Sequence, residues 1–191
     1  MTTKVAVVTG AAGGLGRAIS LKLLDSGFGV VGLDIDTASL DEAAKELGSG
    51  FVPKTTDLTD AKRVKQVFDE IAQDYGGLDA LVNNAGTCFM SDFPDIPAAE
   101  FDKQMATNFS SAFHCCQAAV PAMLKRDGIK KIVNISSNGA YNFDVFDPPH
   151  YRASKAAMDT LTKDLARRYA RELIAVNTIA PAMTETPLFG V

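Results

Sequence analysis

Neither charge sign dominates this chain, and no segment concentrates one. Lys and Arg number 19 against 23 Asp and Glu, a formal net charge of -4 over 191 residues. That balance offers no electrostatic footprint for nucleic acid or an anionic membrane surface, and neither partner is expected. Long apolar runs are also missing. The first ten residues hold only Val5–Val8, too short for a signal-peptide core or a membrane span, so a cytoplasmic protein is expected. Three cysteines, Cys88, Cys115 and Cys116, have no metal-ligand spacing. The adjacent pair falls in a helical stretch where the two side chains diverge, and reduced structural thiols without a bound metal are expected. Of the two histidines, His114 reads as a helical surface or satisfied core residue, and His150, beside Pro148-Pro149, as loop structure. Repeats, low-complexity segments and linkers are absent as well. One domain over residues 1–191, 47% hydrophobic and able to bury a single core, is what remains.

What is present begins with Tyr151 and Lys155, in the segment Tyr151-Arg152-Ala153-Ser154-Lys155. Four residues apart, they share one face of a helix. A phenol ordinarily titrates near pH ~10, and a fixed neighbouring cation favours the phenolate, which brings it toward the range where acid–base catalysis is efficient. Alone, such a pair is equally a solvated helical face.

Short β-branched runs alternate with longer helical patterns along the chain. Strands are predicted at Val5–Val8, Val30–Leu33, Phe51–Pro53, Ala80–Val82, Ile132–Ile135 and Ala175–Thr178. Helices are predicted at Leu15–Ser26, Ala38–Leu47, Ala61–Tyr75, Ala98–Lys125 and Tyr151–Arg171. Near-continuous apolar strands separated by crossover helices imply an α/β fold with a doubly wound, Rossmann-like parallel sheet.

The first strand runs into Thr9-Gly10-Ala11-Ala12-Gly13-Gly14-Leu15-Gly16, from which a helix opens. Glycines there permit a tight turn and bring backbone N–H groups and a helix N-terminus up to a pyrophosphate. Asp34 ends the second strand at the distance where an acidic residue receives the adenosine ribose hydroxyls of NAD. A carboxylate there repels a 2′-phosphate, and Ala11, Ala12 and Gly13 bring no cation, so NAD rather than NADP is expected. An Asx turn with Asp36 is the structural reading of the same residue.

With these elements placed, the sequence resembles the short-chain dehydrogenase/reductase family over essentially its whole length. Thr9-Gly10 with Gly14 and Gly16 is similar to that family's nucleotide turn. Asp57-Leu58 resembles its adenine-contacting pair, Asn83-Asn84-Ala85-Gly86 its signature after strand four, and Asn134-Ile135-Ser136-Ser137 the strand that ends in its active-site serine. The resemblance implies that Gly10, Gly14, Leu15, Gly16, Asp34, Asp57, Leu58, Asn84, Ala85, Gly86, Tyr151, Lys155, Pro181 and Thr186 hold NAD. It further implies that Ser137 binds the reacting oxygen, Tyr151 exchanges its proton, Lys155 lowers the Tyr151 pKa and holds the nicotinamide ribose, and Asn108 orients a water. The expected reaction is hydride transfer between NAD(H) and an alcohol/ketone pair.

The sequence departs from the family pattern at three places. Ser137 and Tyr151 lie one residue further apart than is commonest, which keeps Ser136 and Asn138 as alternatives for the serine. Ala182 replaces the usual Gly after Pro181. The chain stops at Val191, where family members continue through a substrate-covering loop, a helix and a strand, so a C-terminally incomplete domain is expected. Phe89, Met90, Tyr141, Phe143 and Phe146 are expected to border the pocket, implying a largely apolar substrate, while Asp144 and Asp147 argue against an anionic one. The family pairs helices of the kind at Asn108–Met123 and Ala153–Leu165 across two-fold axes, so a homo-oligomer is expected. A 3-oxoacyl thioester reductase and a catalytically silent nucleotide-binding or scaffold subunit are the alternative functions.

Overall fold

The computed structural model describes residues 4–143, 147–182 and 184. Six parallel strands form one sheet in the order β3-β2-β1-β4-β5-β6: β1 Lys4–Thr9, β2 Phe28–Asp34, β3 Phe51–Thr55, β4 Ala80–Asn83, β5 Lys130–Ile135 and β6 Ile174–Ile179. All six predicted strands are found, each lengthened or matched at its ends. Their residues explain the burial. Val5, Val7, Val31 and Leu33 point into one core with Val67, Phe68, Ile71, Cys116 and Met123, whereas Val8 and Val30 point into a second with Leu40 and Ala43. The strand period of two thus feeds both faces, and each face carries helices.

The helices are α1 Gly14–Asp25, α2 Thr37–Leu47, α3 Ala61–Tyr75, α4 Ala98–Met105, α5 Ser111–Met123 and α6 Pro149–Arg168. Among the described residues, none is long and apolar enough to cross a membrane. Pro53 is tolerated in β3 because that strand is a sheet edge, where one side needs no ladder donor.

Two local differences from the sequence reading bear on the site. The single helix predicted over 98–125 is divided by a π-helical turn, Ala106–Ser110, which buries Asn108. The wide turn rotates that side chain inward, where it clamps the loop after β4. Helix α6 begins at Pro149 rather than Tyr151, because a proline at the first position is pre-set for the helix. His150 is therefore helical and 3% exposed, not loop structure.

Sequence order reverses between β1, which pairs β2 on one side and β4 on the other. Open α/β sheets place ligands at that switch, outside the carboxyl ends of the strands.

Candidate active site

β1 ends at Thr9, and the chain turns through Gly10 at φ +63°, backbone that favours glycine. A Cβ on Gly10 would lie 2.9 Å from the Ala85 Cα, and one on Gly16 would overlap the Gly10 carbonyl oxygen. Behind this turn α1 starts at Gly14 with no side-chain cap and no acidic residue in its first turn. Helices α2 and α3 are capped instead by the Asp36 and Asp60 carboxylates. The leading N–H groups of α1 are thus left to face a cleft, where they and the helix dipole favour an anion.

That cleft has a volume of about 1340 Å³ and is lined by Gly10, Gly14, Leu15, Gly16, Asp34, Asp57, Leu58, Asn84, Ala85, Gly86, Ser137, Tyr151, Lys155 and Pro181. Fourteen residues scattered over 172 positions of sequence converge because each follows a strand's carboxyl end or opens the next helix. Asn108 does not line it, and Thr186 lies outside the described residues.

At one end Asp34 does two things at once. Its carboxylate accepts from the Ala12 N–H at 3.0 Å and the Asp36 N–H at 3.2 Å, the expected Asx turn, and it also lines the cleft. The nearby Arg17 turns away: its guanidinium donates to the Ala12 and Ser39 carbonyls and pairs with Glu46 at 3.1 Å. Asp57 accepts from Thr59. Asn84 donates its amide to the carbonyls of Thr9 and Gly10, and Thr9 Oγ1 accepts from the N–H groups of Asn84 and Ala85. Asn84 therefore holds the glycine turn in register with β4.

At the other end Tyr151, Lys155 and Ser137 are 7%, 4% and 9% exposed. Lys155 Nζ donates to the Ile135 carbonyl at 2.9 Å and lies 5.8 Å from the centre of the Tyr151 ring. Burial brings its ammonium down to about 8, with the Asp159 carboxylate opposing. Burial also holds the Tyr151 phenol above its ordinary value; a hydrogen bond with Ser137 pulls it back, and the neighbouring Cys88 thiol and Asp147 carboxylate push it further up. Burial is the largest cause, and Lys155, whose ammonium is directed at a backbone carbonyl, does not bring the phenol below its ordinary value as expected. Ser136 gives its hydroxyl to the Lys155 carbonyl at 3.3 Å, Ser137 hydrogen-bonds the Tyr151 phenol, and Asn138 also lines the cleft. Asn108 accepts from the Thr87 N–H at 2.8 Å and donates to the Thr87 carbonyl and Ser154 Oγ. Its amide braces the loop beside Lys155 instead of facing the cleft.

The family model for short chain dehydrogenases matches residues 4–190. The chain belongs to the short-chain dehydrogenase family. It is an oxidoreductase fold that binds a nicotinamide cofactor and acts on small molecules. It is 36% identical over 190 residues to a 3-oxoacyl-(acyl-carrier-protein) reductase of Thermotoga maritima, covering 97% of this chain and 76% of that protein. To a D-beta-hydroxybutyrate dehydrogenase of Rhizobium meliloti it is 34% identical over 191 residues, covering 97% and 73%. Actinorhodin polyketide ketoreductase, solved with NADPH, superposes with a TM-score of 0.92 at 31% identity, covering 97% of this chain and 72% of that one.

The rim of the cleft differs from expectation. Phe89 and Met90 line the cleft, but Tyr141 and Phe143 do not. Tyr141 faces Asp159 of α6, whose carboxylate keeps the phenol up at about 12, and Phe143 lies under Arg152 with the guanidinium 5.2 Å from its ring. Asp144 and Phe146 lie outside the described residues. Gln104 was not anticipated: buried, it accepts from the Phe89 N–H and donates to the Thr87 carbonyl, so with Asn108 it fixes the loop over residues 87–89. No spacing rule points to it, since its partners are 15 and 17 residues away. His150 Nε2 lies 3.2 Å from Glu100, within ion-pair distance but outside hydrogen-bond alignment. Of the cysteines, Cys115 and Cys116 are buried, and burial lifts both thiols, Cys116 to about 12.

Proposed function

We propose that this chain is an NAD-dependent oxidoreductase that interconverts an alcohol and a ketone, with Tyr151 as the proton donor and acceptor. The observation that carries the reading is one cleft with an uncapped helix N-terminus at one end and a buried Ser137, Tyr151 and Lys155 group at the other. The residues fit a dinucleotide. Gly10, Gly14, Leu15 and Gly16 leave room for a pyrophosphate, Asp34 offers acceptors for ribose hydroxyls, and Asp57 with Leu58 flanks the adenine side. Asn84, Ala85, Gly86 and Pro181 border the nicotinamide half, and Lys155 holds its ribose. NAD(H), when bound, supplies or accepts the hydride.

The chain's own residues handle the proton and the charge. Ser137 donates a hydrogen bond to the substrate oxygen, stabilising the negative charge it gains during reduction. Tyr151, kept protonated by burial, then gives that oxygen its proton, and in the oxidative direction it takes the proton back. Lys155 replaces the proton that Tyr151 loses. Asn108 positions this group by fixing Thr87 and Ser154 on either side of it. Phe89 and Met90 give the substrate an apolar flank.

Choice of NAD follows from the adenosine end, where Asp34 and Asp57 line the wall and the lining cations among the described residues, Lys103 and Lys155, lie elsewhere. A 2′-phosphate would meet a carboxylate there with no compensating charge. In steady-state kinetics kcat/KM for NADH should exceed that for NADPH by about tenfold or more, about 1.4 kcal/mol. A clear preference for NADPH removes the assignment.

A 3-oxoacyl thioester reductase is the second reading, favoured by the likeness to the Thermotoga maritima protein. We further propose a cytoplasmic homo-oligomer formed through α5 and α6.

A further inference from the structure

The cleft wall beside Ser137 and Tyr151 carries an acidic side chain that the proton transfer above does not use. Asp147 lines the cleft just before α6. Its backbone carbonyl accepts from Arg152 Nε at 2.8 Å, fixing the main chain there. Its carboxylate is seated against Gly139: a Cβ at that position would overlap Asp147 Oδ2 and fall 3.0 Å from Cγ. Gly139 in turn donates its N–H to Ser137 Oγ at 3.1 Å. The carboxylate thus occupies space inside the turn that presents the Ser137 hydroxyl, space that exists only because residue 139 has no side chain.

Its charge also reaches the reacting groups. After burial, Asp147 is a cause that raises the Cys88 thiol, and it acts in the same direction on the Tyr151 phenol. Other charged groups on the wall are placed differently. Lys155 is buried and directed at the Ile135 carbonyl, Lys103 lies over the Phe89 ring at 5.5 Å, and Asp34 and Asp57 belong to the glycine-turn end.

We infer that Asp147 selects the substrate, accepting a neutral or cationic alcohol or ketone that carries a hydroxyl or amine donor beside the reacting carbon and rejecting one that carries a carboxylate there. The inference rests on the oxidoreductase reading given above. An ionised carboxylate only accepts hydrogen bonds, and a bond to it is among the stronger kinds available to a substrate hydroxyl. A second carboxylate brought to the same wall meets like charge and loses its water, the repulsive element from which specificity is built. Hydroxy acids whose carboxylate adjoins the reacting carbon are thereby excluded.

Hydroxyacetone, butanone and pyruvate form a matched test, being close in size and differing in the group beside the carbonyl. With NADH and the whole chain, kcat/KM should fall in that order, by about tenfold at each step. Asp147→Asn keeps an acceptor but removes the charge, and it should raise the pyruvate-to-butanone ratio by about tenfold. Gly139→Ala, which displaces the carboxylate, should move the same ratio in the same direction. Calorimetric binding of the three compounds in the presence of NAD reads the discrimination without turnover and should give the same order. Wild-type preference for pyruvate equal to that for butanone, or a ratio unchanged by Asp147→Asn in either assay, overturns the inference. Failure of the oxidoreductase reading has a different signature: no NADH oxidation by the wild type with any of the three compounds, in which case the calorimetric order alone decides the role of Asp147.

Discussion

Replacing Lys155 with methionine should make the protein more stable at neutral pH and less stable at high pH. Lys155 is 4% exposed, and burial brings the titration of its ammonium from 10.5 to about 8. That displacement corresponds to about 3 kcal/mol against the charged form in the folded state. The sign follows from proton counting. Between pH 8 and 10.5 the unfolded chain binds more protons at this site than the folded one, so stability rises with pH across that window. Below pH 8 the full penalty is present; above 10.5 it is gone. Methionine has a similar length and no charge, so Lys155→Met removes the penalty but also the hydrogen bond to the Ile135 carbonyl, a loss of about 1–2 kcal/mol. The variant should therefore gain on the order of 1–2 kcal/mol at pH 7 and lose about the same at pH 10.5. Urea unfolding followed by circular dichroism at half-unit steps from pH 7 to 10.5 measures both curves, which should cross. Parallel curves would refute the claim that this lysine is held charged against a desolvation cost.

Other expectations follow from the same structure. Asp34→Ser should narrow the NADH-over-NADPH ratio in kcat/KM by about tenfold, and an unchanged ratio would move cofactor choice away from Asp34. Gly16→Ala should destabilise by roughly 2–3 kcal/mol in a denaturant titration, because its methyl group meets the Gly10 carbonyl; a variant as stable as wild type would show that the glycine turn yields easily. Phe113, 42% exposed, and Leu124, 52% exposed, lie on or just after α5, and light scattering should report a mass above that of one chain. A monomer at micromolar concentration would remove the oligomer proposal.

The sheet was legible in the sequence because strands buried on both faces leave apolar β-branched runs, and such runs have few other uses. α3 was predicted residue for residue: Asp60 caps its start and a left-handed Gly76 ends it, both local signals. The break between α4 and α5 was not legible. It is set by Asn108 reaching Thr87 and Ser154, 21 and 46 residues away in sequence, while Met105 to Ser110 reads as ordinary helix. Most lining residues of the cleft were legible because they follow a strand's carboxyl end or lie in the first turns of a helix, places that topology fixes. What failed was charge. Spacing shows that a cation lies one helical turn from Tyr151 but says nothing of desolvation, which here governs both groups. Tyr141 and Phe143 lie in the loop that precedes α6, which suggests the rim, but a loop's direction is decided by partners such as Asp159 and Arg152 that no local pattern announces.

The proposed reaction turns on the Tyr151 proton, and Tyr151→Phe addresses it most directly, since only the hydroxyl is removed from a ring that stays buried. NADH titration and turnover should be measured on the same preparation. NADH affinity within a few-fold of wild type, with kcat reduced by about a thousandfold or more, is the predicted result. Turnover near the wild-type rate would contradict it.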